Sequence, residues 1–186
     1  NGKKAIVFGG TSGIGLSATQ MLSDKGAHVI ALSRNPDKLK NVPKNVTTKK
    51  MNVLDRDALE QFFEEIGEYD VLVNSATGGA RAVGPFLSMD LDGYRASFDK
   101  LWGYTNVVRY GTKYLKNNGN IVLVSGSPAR KCRPGQIAIS SVGGAVEAFA
   151  RGIAPEIAPK RINIVSPGII DTPMSPLQGK EREDYY

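Results

Sequence analysis

Near the start of the chain, Gly9-Gly10-Thr11-Ser12-Gly13-Ile14-Gly15 has the composition of a phosphate-binding turn. It follows the apolar run Lys4–Phe8 and opens a segment with helical spacing. Glycines let a backbone approach a pyrophosphate closely. A helix N-terminus adds free N–H groups and the positive end of its dipole. The spacing is G-x-x-x-G-x-G rather than G-x-G-x-x-G. Gly9, Thr11, Ser12, Gly13, Ile14 and Gly15 are therefore expected to cradle a dinucleotide.

Ser33-Arg34 closes the next apolar run, and no acid follows until Asp37. An acid there would bond an adenosine ribose and repel a 2′-phosphate. A hydroxyl and a guanidinium suit that phosphate instead. The expected cofactor is NADP(H) in preference to NAD(H). One histidine, His28, leaves little room for a Ser-His-Asp triad or a multi-histidine metal site. One cysteine, Cys132, excludes an intramolecular disulfide and a cysteine-cluster zinc site. No metal is expected, and the lone thiol suits a reducing, cytoplasmic setting.

These residues need a scaffold. The chain has 186 residues, 41% hydrophobic and 23% charged, which suits one globular domain over 1–186. Strands are expected at Lys4–Phe8, 28–32, 46–53, 70–74, 120–125 and 161–166. Helices are expected at 16–25, 57–66, 90–116 and 137–158, with Pro155 kinking or ending the last. The stretch 77–85 is glycine-rich, 127–135 is a polar, basic loop, and 167–186 is loop with the start of a helix. Alternating strands and helices predict an α/β fold, a three-layer, Rossmann-like, doubly wound parallel sheet. Lys plus Arg outnumber Asp plus Glu by 24 to 18, a net charge of +6. No nucleic-acid motif accompanies that charge, so a solvated basic surface is expected. No apolar run approaches the roughly 18 residues of a membrane span, and the start lacks a signal peptide's apolar core. Neither a nucleic acid nor a membrane is expected as partner.

Four segments in order resemble the short-chain dehydrogenase/reductase family: the Gly9/Gly13/Gly15 turn, Asn74-Ser75-Ala76-Thr77, Val124-Ser125-Gly126-Ser127, and Ser166-Pro167-Gly168-Ile169-Ile170-Asp171-Thr172-Pro173. The match runs through nearly the whole chain. The resemblance implies an oxidoreductase with a bound nicotinamide cofactor. It places Asn52 and Val53 beside the adenine, although Asn52 stands where the family has Asp. It places Asn74, Ser75 and Ala76 at the cofactor, and makes Pro167, Gly168, Ile170 and Thr172 the segment that closes over it.

The resemblance fails at the catalytic pair. Laying Ala145-Val146-Glu147-Ala148-Phe149 on the family helix puts Ile139 at the Tyr position and Gly143 at the Lys position of Tyr-x-x-x-Lys. No Tyr-x-x-x-Lys occurs in the chain. Ser127 keeps the serine position, one residue short of the usual spacing, and Lys100 falls on the family's helix Asn. The chain resembles a divergent subset lacking the Tyr/Lys pair, with a Phe98-Asp99-Lys100 and Trp102-Gly103 helix motif. Some relatives without the pair resemble imine reductases and cyclases.

Ser127 is expected to contact substrate and Lys100 to supply the proton, with Tyr104 as a weaker donor. Arg130 and Lys131 are expected to bind an acidic substrate. The substrate is a small carbonyl, alcohol or imine compound. The alternative is a non-catalytic NADP(H)-binding sensor or scaffold. The resemblance also implies a homodimer or homotetramer through the helices at 90–116 and 137–158, where Gly143, Gly144, Ala145 and Ala148 permit close approach. Family members run to roughly 250 residues as one domain. The length here points to a truncated chain, or a short variant without the seventh, edge strand.

Overall fold

Strand β1 (Lys4–Phe8) alternates its side chains between two apolar environments, as a strand covered on both faces must. Ile6 and Phe8 enter one buried cluster, and Ala5 and Val7 enter another. The structure, a computed structural model, describes residues 2–77, 79–173, 175 and 177–185, with Lys38 described by its backbone alone. Gly78 of the glycine-rich stretch and Met174, Pro176 and Tyr186 of the tail therefore lie outside the described residues.

Parallel partners extend from β1 in both directions. Strands β2 (His28–Ser33), β3 (Val46–Lys50), β4 (Tyr69–Asn74), β5 (Leu115–Val124) and β6 (Arg161–Val165) complete one sheet in the order β3-β2-β1-β4-β5-β6. The order reverses between β1 and β4, and in such sheets ligands bind beyond the strands' C-terminal ends at that point. Helix α1 (Gly13–Asp24) places Ala18 and Leu22 against the Ala5/Val7 side. Helices α2 (Arg56–Ile66), α4 (Asp99–Gly111) and α5 (Ile137–Ile157) cover the Ile6/Phe8 side. The three-layer arrangement is the one expected.

Boundaries shifted where side chains intervene. Asp55 caps α2 by accepting from the Ala58 amide, so the helix starts one residue earlier than expected. Strand β3 ends at Lys50, short of the expected Val53.

The single long helix expected over 90–116 is not continuous. It divides into α3 (Leu91–Ala96) and α4, and a 3₁₀ turn at Thr112–Tyr114 follows. Ser97 explains the first break. Its hydroxyl donates to Gly93 O at 2.9 Å and accepts from the Ala82 amide at 2.9 Å. Such local side-chain bonds compete with the helix ladder. At the far end the Tyr69 hydroxyl donates to Gly111 O at 2.8 Å, and a Cβ on Gly111 would lie 2.7 Å from Phe63 Cζ. Leu115 then turns into β5, inside the stretch expected to be helical.

Pro155 stands within the final turn of α5, which runs on to Ile157. Among the described residues, α5 is the one helix long and apolar enough to cross a membrane. Its Ala138, Val142, Val146 and Ala150 are buried, the pattern of a core helix. The tail carries a further helix, α6 (Gly179–Tyr185).

Candidate active site

The glycine turn doubles back over β2, because the Gly9 and Gly10 amides both donate to Leu32 O, at 2.8 and 3.2 Å. Gly9 and Gly13 have φ of +73° and +50°, a region that favours glycine. Any Cβ on Gly15 would run into Gly9 O and Ser75 Oγ. Ser12 is extended and makes no side-chain cap, the first turn of α1 holds no acid, and the first intrahelical bond is from the Leu16 amide to Ser12 O. The preceding amides of Gly13, Ile14 and Gly15 thus face outward at the positive end of α1. This is an anion cradle whose close backbone packing side chains on Gly9, Gly10 or Gly15 would break, and it fits a dinucleotide pyrophosphate. Thr172 of the tail comes to 3.6 Å from where a Gly13 Cβ would stand, so this part of the segment expected to close over a cofactor packs beside the turn.

At the β2 end of the cradle, buried Thr11 donates from Oγ1 to Ser33 Oγ at 2.8 Å. Arg34 follows, exposed. Asn52 is spent partly on its own turn, accepting from the Leu54 amide at 3.1 Å. Val53 is buried, and its carbonyl accepts from Asn106 Nδ2 at 3.1 Å.

At the end of β4, Asn74 is fully buried and accepts from the Ala76 amide through Oδ1. Its Nδ2 has no protein partner among the described residues. Ser75 donates from both its amide and Oγ to Phe8 O, at 3.0 Å each. It therefore braces the glycine turn from behind rather than offering that hydroxyl to a ligand. Ala76 is partly buried beside it.

Ser127 begins a 3₁₀ turn, Ser127–Ala129, and its amide donates to Pro167 O at 2.8 Å. The serine and the closing segment thus meet. Gly168 and Ile170 of that segment are exposed. Arg182 of α6 pairs with the Asp171 carboxylate and donates to Thr172 O, drawing the tail helix onto the segment.

Lys100 reaches the same region from α4. Its Nζ donates to Ser125 O at 3.4 Å and lies 5.4 Å from the Tyr104 ring centroid. Burial pushes the ammonium's pKa down to about 8, and the like charge of Arg81 adds to the shift.

One expectation is corrected. Tyr104 is fully buried, donates to Val124 O at 2.9 Å, and has its pKa driven far up by burial. It has no path to a ligand as a proton donor. Arg130 bonds Glu147, with Nε 3.0 Å from Oε2, while most of its side chain stays exposed. Lys131 remains exposed.

Gly143 is buried and Ile139 half-buried. A Cβ on Gly143 would stand 2.9 Å from Ala129 Cβ and 3.2 Å from Ser125 Oγ, whose hydroxyl donates to Gly143 O. The turn carrying Ser127 thus crowds the first side-chain carbon that any residue larger than glycine would place there. Restoring the pair with Ile139→Tyr plus Gly143→Lys is therefore expected not to raise turnover. Overpacking costs about 1–3 kcal/mol, partly offset by about 1 kcal/mol of helix propensity on losing glycine. Denaturant midpoints and turnover check this. A double variant more stable and faster than the native chain would contradict it.

An apolar cleft of about 650 Å³ opens between the loops after β4 and β5, lined by Pro85, Phe86, Tyr94, Cys132, Pro134 and Ile137 among others. The Gly84 amide donates to Gly135 O at 2.9 Å and clips the loops together. The Tyr94 hydroxyl is bonded to Ser141 at 2.9 Å.

The sequence reading missed Glu147, Ser125, Ser166 and Asn106. A signal existed for one of them. Glu147 is the lone acid in the stretch 137–155, spaced to fall on the buried face.

Comparison with known proteins adds five findings. A family model described as short chain dehydrogenase matches residues 3–183. The 3-oxoacyl-(acyl-carrier-protein) reductase FabG of Thermotoga maritima is 33% identical over 98% of this chain and 80% of its own length. L-xylulose reductase of Mesocricetus auratus is 30% identical over 93% of this chain and 74% of its own. Among solved structures, a short chain dehydrogenase from Burkholderia cenocepacia in complex with NADP superposes with a TM-score of 0.86 at 28% identity, over 95% of this chain and 76% of that one. A small-chain dehydrogenase in complex with NADPH gives 0.79 at 25% identity, over 100% and 80%.

Proposed function

We propose, from the premise that this chain belongs to the short chain dehydrogenase family, that it is a single-domain, NADP(H)-dependent oxidoreductase. Its substrate is a small carbonyl, alcohol or imine compound, and its active site is atypical. The observation that carries the reading is the anion cradle at Gly9–Gly15 with Thr172 packed beside it and Ser127 bonded to the same closing segment. Two neighbours of this fold are described in complex with NADP or NADPH.

When bound, the nicotinamide cofactor supplies the hydride. The chain's own residues do the rest. The outward amides of Gly13, Ile14 and Gly15 hold the pyrophosphate. Ser33 and Arg34 receive the 2′-phosphate. Ser127 orients the substrate's oxygen or nitrogen, and the ammonium of Lys100 gives that atom a proton. The amine left on Lys100 regains its proton from solvent. The setting is cytoplasmic, which suits the exposed free thiol of Cys132. The assembly is a homodimer or homotetramer across α4 and α5, where Trp102 is 54% exposed.

The test is to bind NADPH and follow its near-ultraviolet absorbance with panels of ketones, quinones and imines. Consumption with any panel supports the oxidoreductase. Tight binding with none supports a second reading, a non-catalytic sensor or scaffold, which the occupation of the Lys position by Gly143 favours.

Cofactor choice gives a separate prediction. Arg34→Ala removes a charge-assisted partner worth about 1.5–3 kcal/mol. NADPH affinity is expected to fall at least about tenfold while NADH affinity holds. Parallel fluorescence titrations check this. Equal losses for both nucleotides would refute the 2′-phosphate role.

A further inference from the structure

Glu147 sits on α5 with 6% of its surface exposed, and it holds two remote segments at once. Its Oε1 accepts from the Ser166 hydroxyl at 2.8 Å, and its Oε2 accepts from Arg130 Nε at 3.0 Å. Arg151, one helical turn on, adds a looser contact at 4.0 Å. Ser166 immediately precedes Pro167, where the closing segment begins. Arg130 immediately follows the turn that carries Ser127. Between these two segments runs the backbone bond from the Ser127 amide to Pro167 O.

We propose that Glu147 is a positioning residue that locks the Ser127 turn to the cofactor-closing segment, so that one carboxylate sets the substrate serine and the nucleotide cover together. The inference rests on the oxidoreductase reading for the roles of those segments. It rests on geometry for the lock itself.

The chemistry of the site points to position rather than to stability. A buried carboxylate costs desolvation, and a buried ion pair is often no more stabilising than an apolar replacement. Arg130 is largely exposed, so its pairing gives little folding energy. What the carboxylate does provide is two directed acceptor sites, and each is used by a different segment. An apolar side chain on α5 would fill the space but leave both segments free to shift. A misplacement of about 1 Å at a reacting group costs as much as 10²-fold in rate.

The test uses Glu147→Gln and Arg130→Gln in the whole chain. Glutamine keeps the size of the buried side chain but loses the charge and one acceptor. The Arg130 side chain is exposed, so its variant keeps the fold if the buried one does not. The probe is NADPH, titrated by fluorescence, together with amide hydrogen exchange over 126–130 and 166–173. The expected result is that each variant weakens NADPH binding about tenfold and speeds exchange in both segments. In particular, Arg130→Gln loosens 166–173, to which Arg130 is tied through the Glu147 carboxylate. The double variant should bind NADPH no worse than Glu147→Gln alone, because both break one unit.

Unchanged exchange across the lock, or additive losses in the double variant, would overturn the proposal. If the native chain binds no NADPH, the oxidoreductase reading falls. The exchange result then still decides the lock.

Discussion

Lys100→Met is expected to cut the rate of substrate reduction by about 10²- to 10⁴-fold, the range that general acid–base groups contribute. NADPH affinity should stay within about threefold, since the role proposed for Lys100 is toward the substrate rather than the cofactor. Methionine matches the stem of lysine in length and is at home among apolar neighbours, so the loss should not come from unfolding.

The pH profile separates a proton donor from a structural lysine. Burial, and to a lesser extent the charge of Arg81, bring the pKa of Lys100 to about 8. Below that value the ammonium dominates and can give a proton. Above it the neutral amine has none to give. Reduction should therefore run level at acidic and neutral pH and fall about tenfold per pH unit above 8. Oxidation of the product alcohol should show the opposite limb, because it needs the amine as a base. Arginine at the same position keeps a charge at every working pH but does not release a proton. Lys100→Arg should thus be slow and lack the alkaline limb. Native turnover in Lys100→Met would remove Lys100 from the mechanism.

Gly15→Ala is expected to lower NADPH affinity about 100-fold or more. The added methyl would overlap Gly9 O and Ser75 Oγ. One of these is backbone, and the other is tied to Phe8 O, so neither side has room to yield. Overpacking of this kind costs about 1–3 kcal/mol and more where the backbone must move. The move would open the cradle from beneath. Gly13→Ala is the control from the same turn. It has room, with Thr172 Cβ 3.6 Å away, but its φ of +50° costs an L residue about 1–2 kcal/mol. Its affinity should fall only about tenfold. Fluorescence titration gives both affinities, and melting curves show whether Gly15→Ala still folds. Native affinity in a folded Gly15→Ala would contradict the cradle.

Much of the fold was legible because its signals are local. A strand covered on both faces shows as a short apolar run, and a helix shows its spacing. Boundaries went astray where a distant residue decided them. Nothing near Ser97 in sequence reveals that its hydroxyl meets the Ala82 amide. Nothing near Gly111 reveals Phe63 and Tyr69 packed against it. The site divides in the same way. The glycine turn could be read at Gly9–Gly15 because its chemistry is carried by consecutive residues. Tyr104 was misassigned, and the Glu147 partner of Arg130 went unseen, because burial and partners are tertiary properties. In sequence Arg130 is a basic loop residue, but in the fold it belongs to Glu147.

The sequence by itself determined the alternating α/β layout, the phosphate turn, the family resemblance and the absence of Tyr-x-x-x-Lys. Each of these is written in residues close together along the chain. Only the tertiary structure decided that the Ser127 turn packs tightly against Gly143, and that Lys100 is buried enough for its pKa to fall. It alone joined Arg130, Glu147 and Ser166, and brought Thr172 beside Gly13. Desolvation, packing and directed hydrogen bonds depend on atoms that meet across the sheet's C-terminal edge, and the parallel crossovers bring them there from residues far apart in the chain.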